Sequence, residues 1–269
     1  MLVNGQHQET IAISDRALHY GDGVFETVLV RARQPVLWSR HLQRLQHGCQ
    51  RLQIPLDTAC LHTEMAELLD THALTHGVLK ILISRGSGGR GYMPPATPTP
   101  TRMLQMHPLP EDYPQYSARG IQVMRCQHPL SLNPALAGLK HLNRLDQVMA
   151  SLELTPAVQE GLMCTPDGLL IEGIKSNVFL HDGRQWLTPD LQHAGVAGVM
   201  RGWLLQQIPQ TRIRALGEDE VLAATEMFVC NSVFGIWPIT QLHWGSHMRQ
   251  LAIGEQTRQL LALFEGCRE

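Results

Sequence analysis

The sequence carries almost no surplus charge: 22 Lys and Arg stand against 24 Asp and Glu, a formal net charge of −2 over 269 residues. Nucleic-acid binders need a clustered basic excess to displace counterions from phosphates, and a balance this even removes that footprint. Long apolar runs are also missing. No stretch approaches the ~18 consecutive apolar residues of a membrane-crossing helix. The opening MLVNGQHQETIAIS has no basic segment followed by an apolar one, so neither a membrane span nor a secretory leader is expected. The six cysteines, Cys49, Cys60, Cys126, Cys164, Cys230 and Cys267, form no C-x-x-C pair and keep no regular spacing. In a chain of this length that pattern reads as reduced thiols in a cytoplasmic protein. Lysine is scarce: Lys80, Lys140 and Lys175 are the only three among the 22 basic residues.

What is present is ample core material. Apolar residues make up 43% of the chain, which excludes disorder as the main state. The length fits one large or two small domains. Alternation predicts strands in LVNG, TIAIS and VFETVLVR, the last with Val24, Glu26, Val28 and Val30 on one face. Helical spacing predicts helices over 39–53, 57–70, 142–154, 198–208 and 249–264. Strands are expected at 77–84 and 101–109, in EMFVCNS and in IWPIT. The stretch 110–120, PEDYPQYSARG, has two prolines and little apolar content and reads as a linker. The predicted organisation is mixed α/β: a small N-terminal α/β domain over 1–109, the linker 110–120, and a larger strand-rich domain over 121–269. The 14 histidines are scattered; His72 and His76 are four apart but lack the glutamate of a zincin motif, and Gly245 and Ser246 between His243 and His247 argue for a loop, so no metal is expected.

Two segments bear on chemistry. GSGGRG at 86–91 follows a predicted strand and matches the dinucleotide fingerprint, which also requires a helix to begin there. Pro94, Pro95, Pro98 and Pro100 forbid that helix. The run is then either a bland loop or a loop carrying Arg85, Arg90 and Tyr92 toward an anionic ligand, since a guanidinium offers a planar fork to a carboxylate. Lys140, in NPALAGLKHLNRL, has few charges nearby. It is either a solvated residue at a helix entry or an amine whose burial keeps it neutral and able to form a Schiff base.

The order of several motifs resolves that choice. DRALHYGDGVFET at 15–27, HLQRL at 41–45, SRGSGGRGY at 84–92, GLKHLNRLDQ at 138–147, IEGIKSNVF at 171–179, GVAGVMR at 195–201 and FVCNSVFGIWPI at 228–239 span nearly the whole chain. Together they resemble the class-IV aminotransferases, the fold-type IV pyridoxal-phosphate enzymes. SRGSGGRGY and NPALAGLKHLNRLDQV resemble the aminodeoxychorismate lyases of that class in particular. The tyrosine that branched-chain aminotransferases place shortly after the lysine is absent from KHLNRLDQ. The resemblance implies the two-domain fold of the class, pyridoxal 5'-phosphate as cofactor and a homodimer. It also implies release of pyruvate from 4-amino-4-deoxychorismate to leave 4-aminobenzoate, a step of folate biosynthesis, with D-amino-acid transamination as the alternative. Lys140 would then hold the cofactor and move protons. Arg44 would bind its phosphate, with the backbone amides of Val199 and Met200, Ser232 and Asn231. Glu172 would meet the pyridine nitrogen, and Arg90, Tyr92 and Arg85 would meet the substrate.

Overall fold

Alternation builds the first sheet. In β3 (Gly23–Arg31) the side chains of Val24, Val28 and Val30 are buried on one face, and Glu26 falls in the same row. That face is covered by α2 (Trp38–Arg51), whose buried positions His41, Leu45, Gly48 and Cys49 recur at helical spacing. The computed structural model describes residues 1–265. Among these residues it divides into two compact units: Met1–Pro110 with Leu139–Asn143, and Glu111–Gly138 with residues 144–265.

The first unit is a six-stranded antiparallel sheet. Its further elements are β1 (Leu2–Val3), β2 (Gln6–His7), α1 (Arg16–Tyr20), β4 (Gln34–Pro35), α3 (Thr58–Thr71), β5 (Gly77–Ser84) and β6 (Thr101–His107). The strand order is β2-β1-β6-β5-β3-β4. Leu45, Leu61, Leu68, Leu79, Ile81 and Ile83 fill the space between sheet and helices. Asp57 caps α3 by accepting a hydrogen bond from Cys60 N. The segment TIAIS, expected as a strand, does not pair. A turn closed by Asp15 N on Ala12 O breaks the alternation and leaves Ile13 78% exposed.

The second unit contains α4 (Tyr113–Arg119), β7 (Ile121–Arg125), α5 (Leu145–Ser151), β8 (Glu160–Cys164), β9 (Leu170–Gly173), β10 (Asn177–His181) and β11 (Trp186–Pro189). It continues with α6 (Val199–Gln207), β12 (Arg212–Arg214), α7 (Glu218–Ala223), β13 (Glu226–Asn231), β14 (Gly235–Trp244), β15 (His247–Gln250) and α8 (Glu255–Glu265). Its sheet runs β12-β11-β10-β13-β14-β7-β8-β9, with β15 added on β14. β7 joins both neighbours in parallel and β12 joins β11 in parallel; the other pairings are antiparallel. Trp237, Trp244, Val123 and Leu162 lie at the centre of its core.

Three sequence expectations change here. The stretch read as a linker folds as α4, because Tyr113 and Tyr116 set their rings edge-on to Trp237 at 4.9 and 5.0 Å. The helix expected over 142–154 shortens to α5. Its apolar residues face outward, with Leu145 76% and Leu152 75% exposed. The start of the helix expected over 249–264 is instead strand: β14 turns through Gly245 and Ser246 and pairs Trp244 with His247.

Candidate cofactor and substrate site

Lys140 sits on a segment zipped to the start of β3. Phe25 N donates to Lys140 O at 2.9 Å, Leu142 N donates to Gly23 O at 3.0 Å, and Val24 and His141 form an antiparallel bridge. Asn143 Nδ2 adds a bond to Gly21 O at 3.0 Å. The close approach explains the glycine at 23, where a Cβ would collide with Ile83 O and lie 2.8 Å from Leu142 Cδ1. The backbone of Lys140 is therefore fixed, and Nζ stands 4.3 Å from the centroid of the Phe25 ring.

Beside this segment, in the same unit, lies a charged group that the sequence reading did not single out. Glu26 is fully buried and takes a two-point contact from Arg44, Nε to Oε1 at 2.7 Å and Nη2 to Oε2 at 2.6 Å. His41 Nδ1 meets the same Oε2 at 2.6 Å. Burial alone would raise the Glu26 pKa, but the Arg44 and His41 contacts outweigh it and hold the carboxyl at about 2. His41 is shifted downward, first by burial and then by the Arg44 and Lys140 charges, against the opposing pull of Glu26. Its Nε2 is buried without a hydrogen-bond partner. The signal for this group was in the sequence: a carboxylate in the apolar row of a strand needs compensation.

The glycine-rich loop returns to β6 without a helix, as its prolines dictate. Gly86 and Gly89 both have positive φ, and a Cβ would collide with Thr99 O at the first and Met93 O at the second. Arg90 and Tyr92 lie exposed on the loop, with Arg90 and Met93 exchanging backbone bonds of 3.2 Å. Arg85 is placed differently from Arg90. Its fork donates to both carboxylate oxygens of Asp22 at 2.8 and 3.0 Å, to Gln53 O at 3.0 Å and to Leu52 O at 2.8 Å. Arg16 donates to Asp22 Oδ2 at 2.8 Å, to Gly91 O at 3.0 Å and to Tyr92 O at 3.1 Å, so it ties the loop to the same carboxylate. Burial raises the Asp22 pKa, yet Arg85 and Arg16 together hold it below the usual carboxylate range.

The second unit supplies a buried carboxylate and an open helix start. Glu172, at the end of β9, is buried; Oε2 accepts from Val196 N at 2.7 Å, and Gln147 Nε2 lies 3.4 Å from Oε1. α6 begins after Gly198 with no side-chain cap, which leaves the Val199 and Met200 amides at the positive end of a nine-residue helix. A Cβ on Gly198 would collide with Asn177 Oδ1, and Asn177 Nδ2 holds Val196 O at 2.9 Å, so this turn is rigid. Ser232 is buried in the turn after β13. Asn231 organises that turn: Oδ1 accepts from Val233 N and Phe234 N, both at 2.9 Å, and Nδ2 donates to Lys175 O at 3.0 Å.

Residues 23–242 match the family model for amino-transferase class IV. A curated aminodeoxychorismate lyase of Vibrio harveyi is 32% identical over 96% of this chain and 97% of its own. One of Bacillus subtilis is 29% identical over 98% of this chain and 92% of its own. Among solved structures, 4-amino-4-deoxychorismate lyase from Pseudomonas aeruginosa is 42% identical, covers 98% of this chain and 97% of that one, and superposes with a TM-score of 0.92. With most of its length matched to one family model and full-length relatives above 30% identity, the chain belongs to the class IV aminotransferases.

Proposed function

We propose that the chain is a pyridoxal-phosphate-dependent lyase that converts 4-amino-4-deoxychorismate to 4-aminobenzoate and pyruvate. The observation that carries this reading is the full-length likeness to lyases named for that substrate, on a chain whose Lys140 is fixed against β3. The residues present suit the cofactor. An uncapped helix start whose glycine admits no side chain fits a phosphate. A buried carboxylate fits a protonated ring nitrogen. When bound, pyridoxal 5'-phosphate supplies an aldehyde for covalent attachment and a pyridine ring that withdraws electrons.

In this reading Lys140 would be the residue that holds the cofactor, and Arg44, the amides of Val199 and Met200, and Ser232 would hold its phosphate. Asn231 supports Ser232 through the turn that it organises. Glu172, whose Oε2 is held by the Val196 N–H, would keep the pyridine nitrogen protonated. Lys140 Nζ would take the proton from the amine-bearing ring carbon and return one to the departing enolpyruvate. Departure of that group makes the substrate ring aromatic, so elimination runs downhill and no keto acid is consumed. Arg90 is assigned to a substrate carboxylate with Tyr92 beside it; Arg85 acts by holding the loop's base, because its fork is already occupied.

The enzyme works as a homodimer in the cytoplasm on this reading. The outward apolar face of α5 (Leu145, Val148, Met149 and Leu152) fits burial against a second copy. Among the described residues no helix is long and apolar enough to cross a membrane.

The test is turnover by the purified protein. Aminodeoxychorismate alone should yield pyruvate and 4-aminobenzoate in equal amounts, and borohydride should fix the cofactor on Lys140. An absolute requirement for added keto acid would replace this reading with D-amino-acid transamination.

A further inference from the structure

We infer that His41 is a positioning residue for phosphate recognition: acting through Glu26, it fixes the Arg44 guanidinium in the orientation that receives the cofactor's phosphate. The inference rests on the proposed role of Arg44 and adds two residues to it. An arginine side chain has several free torsions, and a phosphate contact is strong only when the planar fork is already aimed. Here one edge of the fork, Nε and Nη2, is bound at two points by Glu26. Two parallel bonds define the guanidinium plane and therefore the direction of its remaining N–H groups.

Glu26 can act as a brace only if its own carboxylate cannot turn. Its Cα is set by β3, between the inward-facing Val24 and Val28. The His41 ring, three residues before Arg44 on α2, occupies a further lone pair of Oε2 at 2.6 Å. With Nδ1–H donating to Glu26, Nε2 carries a lone pair and no proton. That atom is buried with no partner, so no competing bond pulls the ring away.

Charge supports the same arrangement. The charged groups facing His41 are Glu26 on β3, Arg44 on its own helix, and Lys140 on the segment against β3. Lys80 pairs in register with Thr27 and so lies on the opposite face of the sheet from Glu26. Burial first, and then the Arg44 and Lys140 charges, shift the imidazole downward, which favours the neutral ring. A neutral donor orients the carboxylate without cancelling its charge or adding repulsion toward Arg44.

The test compares two ligands on the apoprotein: pyridoxal 5'-phosphate and pyridoxal, which lacks the phosphate, each titrated by absorbance. Their affinity ratio isolates the phosphate contribution. His41→Leu should lower that ratio about tenfold, the scale of one charge-assisted hydrogen bond, and leave pyridoxal affinity unchanged. His41→Asn, which retains an N–H donor toward Glu26, should recover most of it. Arg44→Ala serves as the control for the underlying reading. If it leaves the ratio intact, the assignment of Arg44 to the phosphate fails. If Arg44→Ala abolishes the preference and His41→Leu does not change it, the positioning inference alone fails. Equal loss of both ligands in His41→Leu, with a lowered melting temperature, also overturns it by showing a purely structural role.

Discussion

Four arginines of the first unit are alike in the sequence and are separated by what their guanidinium groups touch. Arg16 and Arg85 converge on Asp22 and brace the glycine-rich loop, Arg44 is locked on Glu26, and Arg90 stands exposed on the loop itself. The difference yields a paired expectation. Arg85→Met removes four hydrogen bonds, two of them to a carboxylate, and leaves Asp22 with one cation. It should destabilise the apoprotein by about 3 kcal/mol in a urea melt. Arg90→Met should leave the urea midpoint unchanged and raise KM for aminodeoxychorismate. A reversal, with Arg85→Met fully stable and defective only in KM, would return Arg85 to direct substrate contact. The sequence placed all of these arginines in motifs. It could not divide bracing from binding, because that depends on Leu52 and Gln53 carbonyls that arrive from over thirty residues away.

At the level of elements, period was legible and environment was not. Helical patterning located α2, α3 and α6, alternation located β3, and strand-like segments located β5, β6 and β13. The same spacing in Leu145, Val148, Met149 and Leu152 marked an amphipathic helix, yet its apolar face points outward. Periodicity reports that a face is apolar without reporting what covers it. Glu26 is the converse case: the alternation of β3 put it in the buried row, and only the fold supplies the His41 and Arg44 that make a carboxylate tolerable there. The TIAIS segment had alternation but no strand to pair with, because Asp15 is drawn into hydrogen bonds with Ser84 and Thr101. α5 also gives a direct test of assembly. Leu145→Glu combined with Leu152→Glu places two charges on the outward face and should convert the proposed dimer to a monomer in sedimentation without loss of helical signal. A dimer that persists would move the interface elsewhere.

For the molecule as a whole, the buried ionisable groups of the two units give stability opposite pH dependences. In the first unit Glu26 titrates at about 2 when folded against an ordinary 4.5, so its contribution is complete above 4.5 and is lost as pH falls toward 2. His41 is also shifted down, so the unfolded chain takes up a proton below 6.5 that the folded chain refuses, again costing stability as pH falls. In the second unit Glu160 is pushed up by burial, despite Lys175 and the hydrogen bonds from Ser176 Oγ and Gly161 N. Its contribution is present below 4.5 and is lost as pH rises. Each group alters the slope by at most about 1.4 kcal/mol per pH unit per proton. Urea unfolding of the apoprotein across pH 3 to 8 should therefore show a flatter acid limb for Glu26→Gln than for the parent. That variant is also less stable throughout, because Arg44 loses its partner; the slope, not the level, carries the information. Glu160→Gln should instead gain on the parent as pH rises from 5 to 8. If both substitutions change the slope in the same direction, the two carboxylates do not titrate with opposite signs, and the Glu26–Arg44–His41 brace is not the ionised group that its geometry requires.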